Sequence, residues 1–224
     1  MSKLNTNSNV YIILYSTLLV IIVAFLLAFI FQALKPAQDA NVALDQKKQI
    51  LNSLNIRGLD GQEAEAKYKE VVLAEKGMGD AKYYDCKIDG KQKYVFPLKG
   101  MGLWGGISGF VSVDEDLNTI YGAYFNHEGE TAGLGAEIKD SQEWQERFRG
   151  KKIFSDDGQL AIGVVKKVEN PNSQVDCVTG ATLTSNGVND MLREGLSKYV
   201  KELQEQSRVV EDSHQHNGEG EYNE

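Results

Sequence analysis

The sequence predicts an N-terminal transmembrane helix followed by a mixed α+β domain with an antiparallel sheet and flanking helices. Three observations carry that expectation. Residues Val10 to Leu34 form one uncharged apolar run. The middle of the chain reads as short β-rich segments punctuated by Gly and Asp turns, the pattern of hairpin-connected strands. Near the C-terminus, Val188, Met191, Leu192, Leu196, Tyr199, Val200 and Leu203 recur at intervals of three and four, which is one face of a helix packed on a sheet.

Taken in order, the Val10 to Leu34 run spans roughly 37 Å as a helix, enough to cross a bilayer with some tilt. A cleavable signal peptide has a shorter apolar core and a small-x-small site, whereas this run ends Phe31-Gln32-Ala33-Leu34, so an uncleaved anchor is expected. Lys3 precedes it and Lys35, Lys47 and Lys48 follow; a naive positive-inside count would keep the rest of the chain in the cytoplasm. Beyond Pro36, Val42, Leu44, Ile50, Leu51 and Leu54 recur imperfectly among polar residues, as in a stalk helix. A second helical stretch is read from about Gln62 to Lys76, stopping at Gly77.

Strands are then expected at Lys82 to Ile88, at Gln92 to Pro97 after an Asp89-Gly90 turn, at Gly106 to Val113, at Thr119 to His127 after an acidic turn, and at Leu160 to Val168. Ser141 caps a short helix that closes at Gly150. The last helix is read from about Ser185 to Leu203. From Gln204 onward apolar residues thin out, and the segment cannot bury enough surface to offset its ordering entropy. His214 and His216 are read there as solvated residues of an acidic tail. The domain plan is therefore an N-terminus at 1–9, a span at 10–34, a stalk at 35–60, a folded domain at 61–205 and a disordered tail at 206–224.

Composition narrows function. With 24 Lys+Arg against 32 Asp+Glu the formal net charge is −8, which argues against nucleic acid as a partner. Two cysteines, Cys86 and Cys177, make no disulfide framework and no cysteine-based metal site, and no metal ligand set is expected. Gly100-Met-Gly102-Leu-Trp104-Gly105 matches a dinucleotide-binding glycine pattern, but that reading needs a helix to follow. Here a strand follows, so a tight strand-to-strand connection is expected.

Two further stretches carry candidate residues. His127-Glu-Gly-Glu130-Thr131-Ala-Gly133-Leu134-Gly135-Ala-Glu137 has the glycine density of a loop shaped against a ligand, and equally that of a plain turn. Asp176-Cys-Val-Thr179-Gly180-Ala181-Thr182-Leu-Thr184-Ser185 crowds hydroxyls at a helix entrance, where free N–H groups and the helix dipole suit a phosphate. An ordinary N-cap by Thr184 or Ser185 is the alternative.

Asp176-x-x-Thr179-Gly180-Ala181-Thr182 matches the flavinylation motif of bacterial proteins that carry FMN on threonine. With Gly102-Leu-Trp104-Gly105, the turn at Asp114, Thr119-Ile-Tyr-Gly and the Glu130 to Glu137 loop, the chain up to about Leu203 resembles the C subunits of the sodium-translocating NADH:quinone oxidoreductases. Ala132 stands where that family usually has Pro. The resemblance implies one covalent FMN per chain on Thr182, installed by a flavin transferase that reads Asp176. It implies that Thr179, Gly180, Ala181 and Thr184 line the phosphate, and that Glu130, Thr131, Gly133, Leu134, Gly135 and Trp104 wall the flavin. It further implies an electron relay in a multi-subunit complex of the inner membrane, beside the FMN-carrying B subunit and the D and E membrane subunits, with the soluble domain periplasmic. That side is opposite to the charge count. The paralogous G subunits of the Rnf-type ferredoxin:NAD oxidoreductases, or an extracytoplasmic FMN-binding regulatory module, share the motif.

Overall fold

The computed structural model describes residues 8–78 and 81–218, and side-chain surroundings for 8–77 and 82–200. It divides into two units, residues 1–45 and 46–224. The first unit is the exposed apolar part of helix α1 (Asn9–Ser53), whose best 18-residue window has a mean hydropathy of 2.9. Most of the expected N-terminal segment 1–9 lies outside the described residues. Helix α1 runs on through Pro36. Proline removes one backbone donor there, while Ala37, Gln38, Ala40, Ala43 and Leu44 beyond it favour helix enough to carry the chain on.

The second unit is built on a five-stranded antiparallel meander in the order β1-β2-β3-β4-β5. The strands are β1 (Val72–Met78), β2 (Ala81–Ile88), β3 (Lys91–Met101), β4 (Gly106–Asp114) and β5 (Ile120–His127). The turn between β2 and β3 places Asp89 and Gly90 at φ 50° and 81°, the paired positive values of a two-residue hairpin. Tyr83, Phe96, Leu98, Ile107, Val111 and Phe125 form the core face, against α3 (Glu137–Asp140), α4 (Gln142–Glu146) and α5 (Thr182–Gly218). Beside α5, β6 (Gly163–Val165) and β7 (Gln174–Asp176) make a small parallel pair. The Ser141 cap is present, its hydroxyl accepting from Trp144 N–H.

The opposite face carries the end of α1 and α2 (Gly61–Val71), with Ile50, Leu51, Leu54, Ala64 and Val71 all buried. Asn55 sits at φ 60°, Asn55 N–H donates to the Asn52 carbonyl and Ile56 N–H to that of Leu51, a Schellman ending. The last α1 carbonyl, Ser53, would be an orphan; the buried Ser112 hydroxyl of β4 lies 2.6 Å from it. Asn55 Nδ2 also donates to the Tyr121 carbonyl at 2.8 Å.

Several boundaries differ from the sequence reading: β3 runs on to Met101, past the expected Pro97, and α4 ends at Glu146, short of Gly150. The helix expected to Lys76 ends at Val71, because Val72–Met78 pairs with β2 and β-branched and apolar residues follow pairing where a partner strand exists. The stalk helix ends at Ser53 rather than 60. The strand read over Leu160 to Val168 holds only three residues, as many as the short β7 can pair. Helix α5 begins at Thr182 and its backbone continues to Gly218. Low apolar content limits what 206–218 can bury, yet no Gly or Pro interrupts that stretch before Gly218, so nothing local breaks the helix there. Residues 219–224 of the expected tail lie outside the described residues.

Gly122 is where the α1 end meets the sheet: a Cβ there would collide with the Ser53 carbonyl and lie 2.8 Å from Asn55 Oδ1. Gly122→Ala is expected to destabilise the domain by about 1–3 kcal/mol, read as an earlier urea midpoint for the full chain in detergent; an unchanged midpoint would show that this seam can move aside.

Candidate functional site

Three segments distant in sequence converge on one carboxylate. Glu130, just beyond β5, is 7% exposed. Its Oε2 accepts from the Thr184 hydroxyl of α5 at 2.6 Å, and its Oε1 accepts from Trp104 N–H of the β3–β4 connection at 2.9 Å. Glu130 N–H donates to His127 Nδ1 at 3.2 Å. Burial acts to raise the carboxyl, but the hydrogen bonds from Thr184, Trp104 and Leu103 together with nearby His127 outweigh it and hold Glu130 below its ordinary range. The group is therefore an anion at neutral pH.

Glycines make the room. A Cβ on Gly102 would strike Glu130 Oε1, and one on Gly135 would strike Oε2 while lying 2.7 Å from Thr184 Oγ1. The Gly100 to Gly105 stretch is the tight connection expected from sequence: β3 ends at Met101, β4 starts at Gly106, and Gly102 N–H donates to the Gly105 carbonyl at 2.8 Å. The 131–136 turn closes through Leu134 N–H and Ala136 N–H on the Thr131 carbonyl, with Gly133 at φ 73°.

The hydroxyl-rich stretch forms the approach to α5 and its first turn. Thr182 opens the helix, half-buried, and the N–H groups of a first turn have no intrahelical acceptor. Ahead of it Thr179 and Gly180 are exposed and Ala181 is buried. Gly180 takes φ 76°, and a Cβ there would lie 2.9 Å from Leu134 Cδ2, which brings the two glycine-rich loops into contact. Thr184 and Ser185 are inside the helix rather than at its cap. A hydroxyl has one proton, and that of Thr184 goes to Glu130, so toward a phosphate Thr184 offers lone pairs only. Ser185 Oγ accepts from Val178 N–H at 3.0 Å and braces the approach turn.

Asp176, the last residue of β7, is held from α4. Arg147 Nη1 lies 2.8 and 2.7 Å from its two carboxylate oxygens, Arg147 Nη2 donates to Glu143, and Trp144 Nε1 donates to the Asp176 carbonyl at 2.8 Å. Neither Arg147 nor Trp144 was legible as a site residue, because the α4–β7 contact is tertiary and no spacing announces it.

Thus Trp104, Glu130, Gly135 and Thr184 form one hydrogen-bonded and sterically fitted group. Leu134 and Gly180 meet beside Gly135, Thr182 opens the helix turn that carries Thr184, and Thr131 and Gly133 shape the 131–136 turn. Met101, Leu103, Trp104, Leu134 and Leu183 leave large apolar surfaces exposed, Trp104 at 69%, on the same segments. The arrangement sets a helix entrance with free first-turn N–H groups on the same segments as exposed apolar and aromatic side chains.

Gly133 and Gly135 separate two causes of glycine preference. At Gly133 a Cβ would meet open space, so Gly133→Ala is expected to cost about 1 kcal/mol for the left-handed backbone, a fall in Tm of about 2–4 °C. Gly135→Ala, crowding a buried anion, is expected to cost about 2 kcal/mol and about 4–8 °C. Equal falls would show that the Glu130 carboxylate has room to retreat.

Comparison with known proteins gives the family. Residues 102–197 match the family model described as FMN-binding domain. The C subunit of the Na(+)-translocating NADH-quinone reductase of Pseudomonas aeruginosa is 31% identical over 81% of this chain and 91% of that protein. Its Haemophilus ducreyi counterpart is 30% identical, over 86% and 91%. A crystal structure of the Parabacteroides distasonis C subunit superimposes with a TM-score of 0.69 at 40% identity, covering 76% of this chain and 96% of that one. The antiparallel sheet, the flanking helices and the sequence likeness over nearly whole relatives place the chain in the family of Na(+)-translocating NADH-quinone reductase C subunits.

Proposed function

We propose that this chain is a membrane-anchored relay subunit that carries one FMN per chain, bound through a phosphoester to Thr182, and passes electrons within a sodium-translocating NADH:quinone oxidoreductase. The observation that carries the reading is the position of Thr182. It opens α5 behind the positive-φ Gly180, where a flavin-motif hydroxyl, first-turn N–H groups and the Glu130-centred loops adjoin.

The residues fit the group. A phosphate on Thr182 Oγ1 would stand at the positive end of the α5 dipole. Gly180 leaves space that a Cβ would take from Leu134, and exposed Trp104, Leu103 and Leu134 supply apolar surface for a flat ring. Bound FMN supplies one- and two-electron redox chemistry, and a covalent tether keeps it in place through every redox state. In the maturation step a transferase of the flavin class would join Thr182 Oγ1 to the FMN phosphorus of FAD. The pyrophosphate P–O bond breaks, AMP leaves, and the hydroxyl proton goes to base. Thr179, Gly180 and Ala181 form the turn that presents the hydroxyl, and Arg147 holds Asp176 at its base.

Helix α1 supplies the single apolar span of the reading, which needs one anchor in the bacterial inner membrane. With the B subunit and the D and E membrane subunits as neighbours, the folded domain would lie on the periplasmic side. The relatives compared above are C subunits, which favours that role over the Rnf-type alternative. A regulatory module would have no need of those partners.

Thr182→Val keeps shape and β-branching but removes the acceptor oxygen. In full-length chain made with the transferase, it is expected to abolish in-gel flavin fluorescence after denaturation, with a stability change of about 1 kcal/mol or less. Persistent fluorescence would move the attachment elsewhere. For topology, a C-terminal alkaline phosphatase fusion is expected to be active; an inactive fusion beside an active cytoplasmic reporter would place the domain inside.

A further inference from the structure

Glu130 is more than a structural tie. Among the described residues its carboxylate meets neutral donors, the Thr184 hydroxyl and the Trp104 amide, with His127 nearby and no lysine or arginine within salt-bridge distance. Its charge is thus hydrogen-bonded but not cancelled, and at 7% exposure water screens it little. Thr184, which it grips, lies two positions from Thr182 on the first turn of α5. Gly102 and Gly135 deny the carboxylate any bulk that could push it away.

We propose that Glu130 is the positioning and tuning residue of the flavin site: a fixed buried anion that locks the β3–β4 connection to the first turn of α5 and holds the reduction potential of the flavin low. The physical step is electrostatic. An electron added to a flavin near a fixed negative charge in a poorly screened site adds charge of the same sign, so the oxidised form is favoured. The inference rests on the reading that the flavin is carried at Thr182.

The test is the midpoint potential of the covalent flavin, by spectroelectrochemical titration of full-length chain made with the transferase and purified in detergent. Glu130→Gln keeps the side-chain shape and removes the charge. It is expected to shift the one-electron equilibrium toward the reduced form by at least tenfold, on the order of 59 mV upward. Glu130→Asp keeps the charge and is expected to stay within threefold of the wild type. A Glu130→Gln potential equal to wild type overturns the proposal, as does a Glu130→Asp potential that rises as far as that of Glu130→Gln. Should Glu130→Gln fail to fold, Glu130→Ala, which also removes the charge, takes its place, and a potential equal to wild type is again the overturning result. Failure of the attachment reading shows separately, as covalent flavin on Thr182→Val.

Discussion

The carboxylate of Glu130 is the constraint on which the site is organised. Its two oxygens accept from two other segments, Thr184 of α5 and Trp104 of the β3–β4 connection, and both glycines that border it lack the side chain that would displace it. A buried charge is costly unless its hydrogen-bonding capacity is filled. Each donor therefore constrains the others: loss of one leaves the anion underserved, and the loops that supply the rest must shift. This couples pieces that no local propensity would hold together.

Helix α5 joins that constraint to the fold. Its apolar stripe covers β3, with Tyr199 stacked on Phe96 at a centroid distance of 5.0 Å, while its first turn contributes Thr182 and Thr184. Burying the stripe thus sets the height of the first turn relative to the sheet. On the other face the Ser53 carbonyl, Ser112 and Gly122 seal the end of α1 against β4 and β5. The sheet is a plate between two such attachments, and Gly122 sits where the Ser53 carbonyl takes the place of a side chain.

Much of this was legible in the sequence, for physical reasons that vary by element. The hairpin at Asp89-Gly90 and the Ser141 cap announce themselves because their chemistry is local. The β3–β4 connection could be separated from a dinucleotide loop because β-branched and aromatic residues follow its glycines. The Val72 to Lys76 stretch misled, since strand pairing with β2 outcompeted a helical reading that local spacing permitted. At the site, the motif pointed to Thr182 and the loop to Glu130. What spacing could not reveal was that Thr184 spends its proton on Glu130, or that Arg147 holds Asp176, because those contacts join residues far apart in the chain.

The meander has a temporal consequence. Strands β1 to β5 follow one another and pair with their neighbours, so the sheet can zip hairpin by hairpin as successive segments become free to fold. Its core face cannot close until α5, the last element, is made. At about 5–20 residues per second of synthesis, Phe96 waits longest, since its ring partner is Tyr199 of α5, whereas Phe125 meets Trp144 and Phe148 much sooner and Glu130 waits about half as long as Phe96, for Thr184. A chain cut short before Thr182 would be left with a sticky, half-roofed sheet. The same order of events means that the hydroxyl at Thr182 reaches its place only when the domain around it is complete.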